Sequence, residues 1–502
     1  MGIRSVFGRP FSLYIRQQNK KWAAEPFGFQ DNIFKSIVHR AADTVFGKDH
    51  DFHSIRNYDD FRSKVPVRDY EDLKLYINRA VDGENDILWP GQPAYFSQTS
   101  GTTSGTKYIP LTMESIPNHI NSARDALFLY LLETGNYSVL DGKLIFLSGS
   151  PALEEKNGIK IGRLSGIVNH HIPTWLRSNQ MPSYETNCID DWEQKVDRII
   201  TETIDKNMSL ISGIPPWVQM YFDRLRAKSG KKIMELFPNF SLFMYGGVNF
   251  EPYRARLFES IGTEIDSIET YPASEGFIAY QDTQTEEGLL LLLNSGIFFE
   301  FIPTNEYFLY NPSRMSIEEV ETGVDYALII NSNAGLWGYS IEDTIRFVSK
   351  NPYRLVVTGR IKHFISAFGE HVIAEEVEKA LKATMQKHPE VELVEFTVAP
   401  NVTPEEGLPH HEWYIEFANP PDDWNEFVKT LDRTLCDLNS YYNDLIMGNI
   451  LSQLKIVEVR RNTFINYMKS MGKLGGQNKV PRLSNDRKIA SHLQTFRKNI
   501  VV

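Results

Sequence analysis

Apolar side chains recur at three- and four-residue spacing at Phe34, Ile37, Val38, Ala41, Val45 and Phe46, which predicts an amphipathic helix capped at Asp31 and stopped at Gly47. Trp192, Val196, Ile199, Ile200, Thr203 and Ile204 mark one face of a longer helix. Pro215 and Pro216 open another, which turns Trp217, Met220 and Tyr221 inward. That helix gives way to an apolar run over 241–245 ending at Gly246 and Gly247, an order that predicts a parallel α/β layer. A further short apolar run over 143–147 reads as a buried strand. Runs over 289–293, 298–302 and 326–330 follow too closely for intervening helices, so part of the sheet is expected to be antiparallel.

After Val357 the pattern changes, and Gly359, Arg360, Ile361 and Lys362 interrupt it before a helix over 374–387. Strands near 394–399 and 413–417 and a helix over 424–439 complete an α+β module. The expected fold is therefore α/β, a large layered N-terminal domain on a mixed sheet over 1–358 with a smaller α+β C-terminal domain over 359–502. A chain of 502 residues exceeds what one hydrophobic core organises, which agrees with two domains.

A net charge of −11 opposes any broad electrostatic grip on nucleic acid or an anionic membrane. No run approaches the roughly 18 uninterrupted apolar residues of a membrane span. Cys188 and Cys436 lie far apart, with neither zinc-type nor disulfide-framework spacing. These features predict a soluble, cytoplasmic protein with no nucleic-acid or membrane partner. The pairs His170–His171 and His410–His411 suggest a metal, but neighbouring side chains on a strand point to opposite faces and do not share one ion.

The densest chemical signal is the run Ser97, Gln98, Thr99, Ser100, Gly101, Thr102, Thr103, Ser104, Gly105, Thr106, Lys107. Glycines let backbone amides approach an anion, hydroxyls donate further hydrogen bonds, and a lysine adds positive charge, so such a run can wrap phosphates. A flexible surface linker has the same composition. The terminal Lys107 and the flanking Tyr108, Ile109 and Pro110 weigh toward the phosphate reading. The order is not the Gly-x4-Gly-Lys-Ser/Thr of P-loop nucleotidases, because Gly101 and Gly105 are four apart and Lys107 follows a threonine.

With these residues in place, the chain resembles the adenylate-forming superfamily, whose phosphate loop reads Ser/Thr-Ser-Gly-Thr-Thr-Gly-x-x-Lys. More narrowly, it resembles the acyl-acid amido synthetases, or auxin-responsive promoter proteins. The narrower likeness rests on Phe61, Val65, Pro66, Tyr70, Glu71, Leu73 and Arg79 before the loop, and on Gln477, Asn478, Lys479, Val480, Pro481 and Arg482 near the end.

The resemblance implies roles for particular residues. In Tyr271, Pro272, Ala273, Ser274, Glu275 the tyrosine would flank adenine and Glu275 would help hold Mg2+ against the phosphates of ATP. Gly246 and Gly247 would lie against the adenine. Asp343 would accept the ribose hydroxyls, although Ser340 and Glu342 replace the family's arginine and glycine before it. Arg360 belongs to the nucleotide set, and Lys362 to a hinge about which the small domain would rotate. Lys479 is the expected catalytic cation for charge growing on the α-phosphate and pyrophosphate. Arg124, on the helix after the loop, would either meet the acyl carboxylate or face solvent.

The resulting expectation is a ligase that forms an acyl adenylate from ATP and a carboxylic acid, then passes the acyl group to an amine, that of an amino acid by resemblance. The alternatives are an acyl-coenzyme A ligase and a non-catalytic nucleotide or acyl-ligand sensor.

Overall fold

A computed structural model gives the architecture of residues 3–501, apart from 103–104, 173–176, 190, 248–249, 362–363, 366, 371, 472–479 and 481. Two helices, Ile3–Ala24 and Pro26–Ala41, open the chain. The first carries no apolar periodicity that the sequence makes plain, and it contains Gly8 and Pro10. Tertiary packing rescues it: a Cβ at Gly8 would lie 2.7 Å from the Tyr137 ring, so the missing side chain allows close approach.

The second helix begins at Pro26 and not after Asp31, because a proline in the first turn needs no hydrogen-bonded amide and presets φ. Asp31 lies inside it, paired with Lys35 at 2.6 Å. Nor does Gly47 stop it. The helix ends at Ala41, and Gly47 sits within a separate short helix, Val45–Asp49, capped by Thr44. A Cβ at Gly47 would stand 2.1 Å from the Ala41 carbonyl oxygen, so only glycine allows this junction.

Strands β1 (Tyr95–Thr102) and β2 (Gly105–Leu111) form an antiparallel hairpin. The helix Ile116–Thr134 follows, then β3 (Lys143–Phe146) and the short pair β4 (Glu154–Lys156) and β5 (Ile159–Gly162). Next come β6 (Gln180–Met181), the helix Trp192–Thr203, β7 (Met208–Ser212), the helix Pro215–Ser229, β8 (Leu242–Gly246), the helix Glu251–Ile261 and β9 (Asp266–Ala273). Then come β10 (Gly276–Tyr280), β11 (Leu289–Leu291), β12 (Ile297–Pro303), β13 (Asp325–Ser332), β14 (Tyr339–Lys350) and β15 (Tyr353–Arg360), joined without α-helices and with a long connection over 304–324.

Among the described residues, eleven of these strands make one sheet in the order β12-β13-β14-β15-β11-β10-β9-β8-β7-β3-β6. From β9 to β6 it is parallel, because helices connect those strands. From β9 to β12 it is antiparallel, as the short spacings require. The hairpin β1–β2 belongs to a separate four-stranded sheet, β2-β1-β5-β4.

Towards the C-terminus, β16 (Phe364–Ile365) pairs with β17 (Val372–Ile373), and the helix Ala374–Lys387 follows. A second four-stranded sheet is built from β18 (Glu392–Asn401), β19 (His410–Asn419), β20 (Lys455–Val459) and β21 (Arg497–Val501). The helix Trp424–Leu438 covers it with buried Phe427, Leu431 and Leu435, four residues apart on one face. This part meets the preceding one through Arg163, just after β5, which pairs with Asp444 at 2.9 Å and lies over the Tyr441 ring at 5.0 Å. The Tyr253 hydroxyl also donates to the Ala367 carbonyl.

Candidate active site

The hydroxyl-rich run is the tip of the β1–β2 hairpin. Thr99 is paired with Lys107 and Thr102 with Gly105, so β1 carries one extra residue there and bulges. Thr103 and Ser104 lie outside the described residues, and for Ser100, Gly101, Thr102 and Gly105 only the backbone is described. Lys107 is half-buried, its ammonium 5.5 Å from the Tyr70 ring centre, a cation–π contact. The Tyr70 hydroxyl accepts the Tyr108 amide at 2.9 Å, which pins β2 to the helix Tyr70–Val81. Tyr70 therefore orients the cation, a role its place upstream of the loop did not announce.

The β9–β10 hairpin brings the next group. Ser274 Oγ lies 3.0 Å from Ser97 Oγ, and Ser97 is fully buried, so the two hairpins are fastened together. Glu275 is half-buried and accepts a hydrogen bond from the Tyr339 hydroxyl at 3.3 Å. Burial, reinforced by the Glu275 carboxylate, pushes the Tyr339 phenol well above its ordinary pKa, so it stays a donor at neutral pH. Gly246 ends β8 where a Cβ would come within 2.5 Å of the Thr270 carbonyl oxygen. Gly247 follows with φ +81°, the left-handed region that glycine adopts without strain.

Asp343 is 7% exposed and accepts the Tyr271 hydroxyl at 2.6 Å, so it is not an exposed acidic turn. Glu342, standing where the resemblance expects glycine, keeps the left-handed conformation at φ +66°. Two contacts hold it there: its amide donates to Ser340 Oγ at 3.2 Å, and its carbonyl accepts the Ile361 amide at 2.7 Å. The pairing of β13 with β14 shifts over this stretch, which turns Asp343 out of regular register.

One cavity of about 1620 Å3 is lined by Thr99, Lys107, Arg124, Gly246, Gly247, Tyr271, Ser274, Glu275 and Asp343. Residues from Thr99 to Asp343 thus meet, carried by β1, β2, the helix Ile116–Thr134, β8, β9, the β9–β10 turn and β14. Thr106 is exposed and does not line the cavity. Arg360 is paired with Asp343 across β14 and β15, and its side chain is not described. Lys362 and Lys479 lie outside the described residues. Arg124 faces the cavity while bonded to Asp125 at 2.7 Å and lying 5.1 Å over Phe11, so it is not simply solvated.

The C-terminal part closes the cavity with Pro400, Tyr441 and the segment from Ser484 to Arg487. Arg487 donates to Glu412 at 2.7 Å and to the Pro400 carbonyl at 2.8 Å. Burial raises the cost of charge on Glu412, but hydrogen bonds from His410, Tyr414 and Arg487 outweigh it and hold its pKa well below the carboxylate range. His411, on the other face of β19, meets Glu370 at 2.8 Å, with both side chains fully buried. The adjacent histidines thus serve two different carboxylates. Composition alone carried no signal for this network, because its members are scattered from Glu370 to Arg487.

Sequence models of the GH3 family match most of the chain: its N-terminal domain over 16–186 and 152–264, its central domain over 290–360 and its C-terminal domain over 375–488. The jasmonoyl–L-amino acid synthetase JAR4 of Nicotiana attenuata is 23% identical, the match covering 88% of each chain. The probable indole-3-acetic acid-amido synthetase GH3.1 of Arabidopsis thaliana is also 23% identical, over 91% of this chain and 89% of that one. Among solved structures, the AtGH3.15 acyl acid amido synthetase in complex with 2,4-DB superposes with TM-score 0.61 at 16% identity, covering 97% of each chain. A 2-hydroxyisobutyryl-CoA ligase in its thioesterification state gives TM-score 0.55 at 13% identity, over 97% of this chain and 92% of that one. These structural likenesses establish the fold.

Proposed function

The chain belongs to the GH3 family, and on that premise we propose that it is an ATP-dependent acyl-acid amido synthetase. A carboxylate oxygen attacks the α-phosphorus of ATP, the bond to the β-phosphate oxygen breaks, and acyl adenylate and pyrophosphate form. The amine of an amino acid then attacks the acyl carbon, AMP leaves, and the nitrogen loses a proton. The observation that carries this reading is the convergence of Thr99, Lys107, Gly246, Tyr271, Glu275 and Asp343, from five strands and the β9–β10 turn, on one cavity.

In this reading the β1–β2 tip receives the phosphates through backbone amides and hydroxyls, and Lys107 opposes their charge. Gly246 and Gly247 admit the adenine beside Tyr271, and Asp343 accepts the ribose hydroxyls. Arg124 faces the acyl carboxylate. Lys479, carried by the C-terminal domain over 359–502, stabilises charge leaving on pyrophosphate, and rotation about Lys362 removes it for the second step. Glu275 is a hard oxygen donor at the cavity wall and suits Mg2+, which it would hold together with the nucleotide phosphates. When bound, that ion supplies positive charge to the phosphate oxygens. The role of Tyr339 is to keep the Glu275 carboxylate oriented.

Acid-dependent exchange of labelled pyrophosphate into ATP tests the first half, and product analysis with amino acids against coenzyme A tests the second. Exchange with no acid of a broad panel refutes adenylation. Thioester without amide would favour the coenzyme A ligase to which the fold is also similar.

A further inference from the structure

The helix Ile116–Thr134 lines the cavity with His119, Ile120, Ala123 and Leu127, which share one face. All but His119 are apolar, and β3 and β7 add Leu144 and Leu210 to the same space. The nucleotide-binding candidates come from strand ends and hairpin tips, so this apolar portion is the chamber left for the acyl group.

His119 and the cation Arg124 are the polar side chains that this helix adds to the wall. His119 is 4% exposed, and its Nδ1 has no hydrogen-bond partner among the described residues. Burial without a compensating charge depresses its pKa to about 4, so the ring is neutral at physiological pH. Its position is not loosely held. The neighbouring Asn118 donates to the Phe277 carbonyl at 3.0 Å and accepts the Phe277 amide at 2.7 Å, clasping the helix to β10 two residues beyond Glu275. Nδ1 is closed off within the wall, so a ligand in the cavity would meet the other edge of the ring, at Nε2.

We propose that His119 is a specificity-determining residue of the acyl chamber, and that preferred acids carry a hydroxyl or oxo substituent that hydrogen-bonds to its imidazole. The inference rests on the adenylation reading above. A neutral imidazole offers one donor and one acceptor, which matches an uncharged oxygen. The carboxylate itself is better served by the cation Arg124 on the same wall. A site built to hydrogen-bond a substrate oxygen discriminates against the analogue lacking it, because its own polar group is then left unpaired.

The test uses the full chain and pairs of carboxylic acids that differ only by one hydroxyl or oxo group. The readout is the ratio of kcat/KM values in pyrophosphate exchange. The wild type is expected to favour the oxygenated member of at least one pair. His119→Leu should shrink that preference by about tenfold or more, and His119→Gln, which retains a donor and an acceptor, should restore part of it. A merely structural histidine would depress both members of a pair alike, so an unchanged ratio overturns the proposal. Should His119→Leu fail to fold, the imidazole nitrogen NMR shifts of the wild type decide: they move when the favoured acid is added, and no movement overturns it. If no acid supports exchange in the wild type, the adenylation reading fails and takes this inference with it, whereas exchange without discrimination at His119 defeats this inference alone.

Discussion

Replacing Asp343 by alanine removes a carboxylate that is 7% exposed and that accepts a 2.6 Å hydrogen bond from Tyr271. If the ribose hydroxyls of ATP donate to it, two hydrogen bonds to a charged acceptor disappear. Each contributes about 1.5–3 kcal/mol, so the combined loss is about 3–6 kcal/mol. That corresponds to roughly two to four orders of magnitude in kcat/KM for ATP. Pyrophosphate exchange with ATP and with 2′,3′-dideoxy-ATP separates this from a general distortion. The wild type should lose a comparable factor on changing nucleotide, whereas Asp343→Ala should lose little more, because the interaction is already gone. Additive losses, with the variant penalised as heavily by the deoxynucleotide as the wild type, would refute the ribose assignment. The substitution also removes the hydrogen bond from the buried Tyr271 hydroxyl, at a cost of about 0.5–1.5 kcal/mol or more, so denaturation curves must show the variant folded under assay conditions.

Other consequences follow from the same structure. Lys479→Ala is expected to cripple adenylate formation while sparing amide formation from chemically supplied acyl adenylate, and equal loss in both single-turnover assays would reject that division of roles. Arg314→Leu leaves Glu300, fully buried and hydrogen-bonded by Tyr58 and Asn331 at 2.8 Å each, without its cation. Urea denaturation should then show a loss of about 3–5 kcal/mol, and a loss below about 1 kcal/mol would mean the pair is not the buried anchor described. His119 titrates near 6.5 when unfolded and near 4 when folded, so on acidification the unfolded state takes up the proton first. Stability should therefore fall between those two pH values and level off below them, by about 3 kcal/mol for this residue. His119→Leu should remove that portion of the pH dependence, and parallel curves for the two proteins would contradict the burial argument.

Much of the scaffold was legible along the chain. The helices at 374–387 and 424–438 begin and end within a residue of the expected bounds, the helix at 192–203 carries the expected face, and the helix at 215–229 starts at the prolines that open it. Spacing alone separated the parallel from the antiparallel half of the sheet. The opening helix Ile3–Ala24 was not legible, because its buried positions, Gly8, Ser12, Ile15 and Trp22, mix small and polar residues with apolar ones. The hydroxyl run looked like an isolated loop because serine, threonine and glycine hide the alternation of a strand. The antiparallel pairing of β1 with β2 makes it a hairpin, and β5, some 60 positions on, anchors the start of that hairpin in a sheet.

What the sequence by itself determined was the kinds of chemistry present and their order: a hydroxyl–glycine–lysine run, a serine–glutamate pair after a tyrosine, a glycine pair ending a strand. Such features depend on turn and capping preferences that reach only a few residues. Only the tertiary structure decided that Tyr70 sits beneath Lys107, that Tyr339 donates to Glu275, that Glu342 can occupy a glycine-like conformation, and that His119 faces the cavity with no partner for its Nδ1 among the described residues. Most of these relations join residues tens of positions apart, and strand order and packing, which no local pattern specifies, bring them into contact.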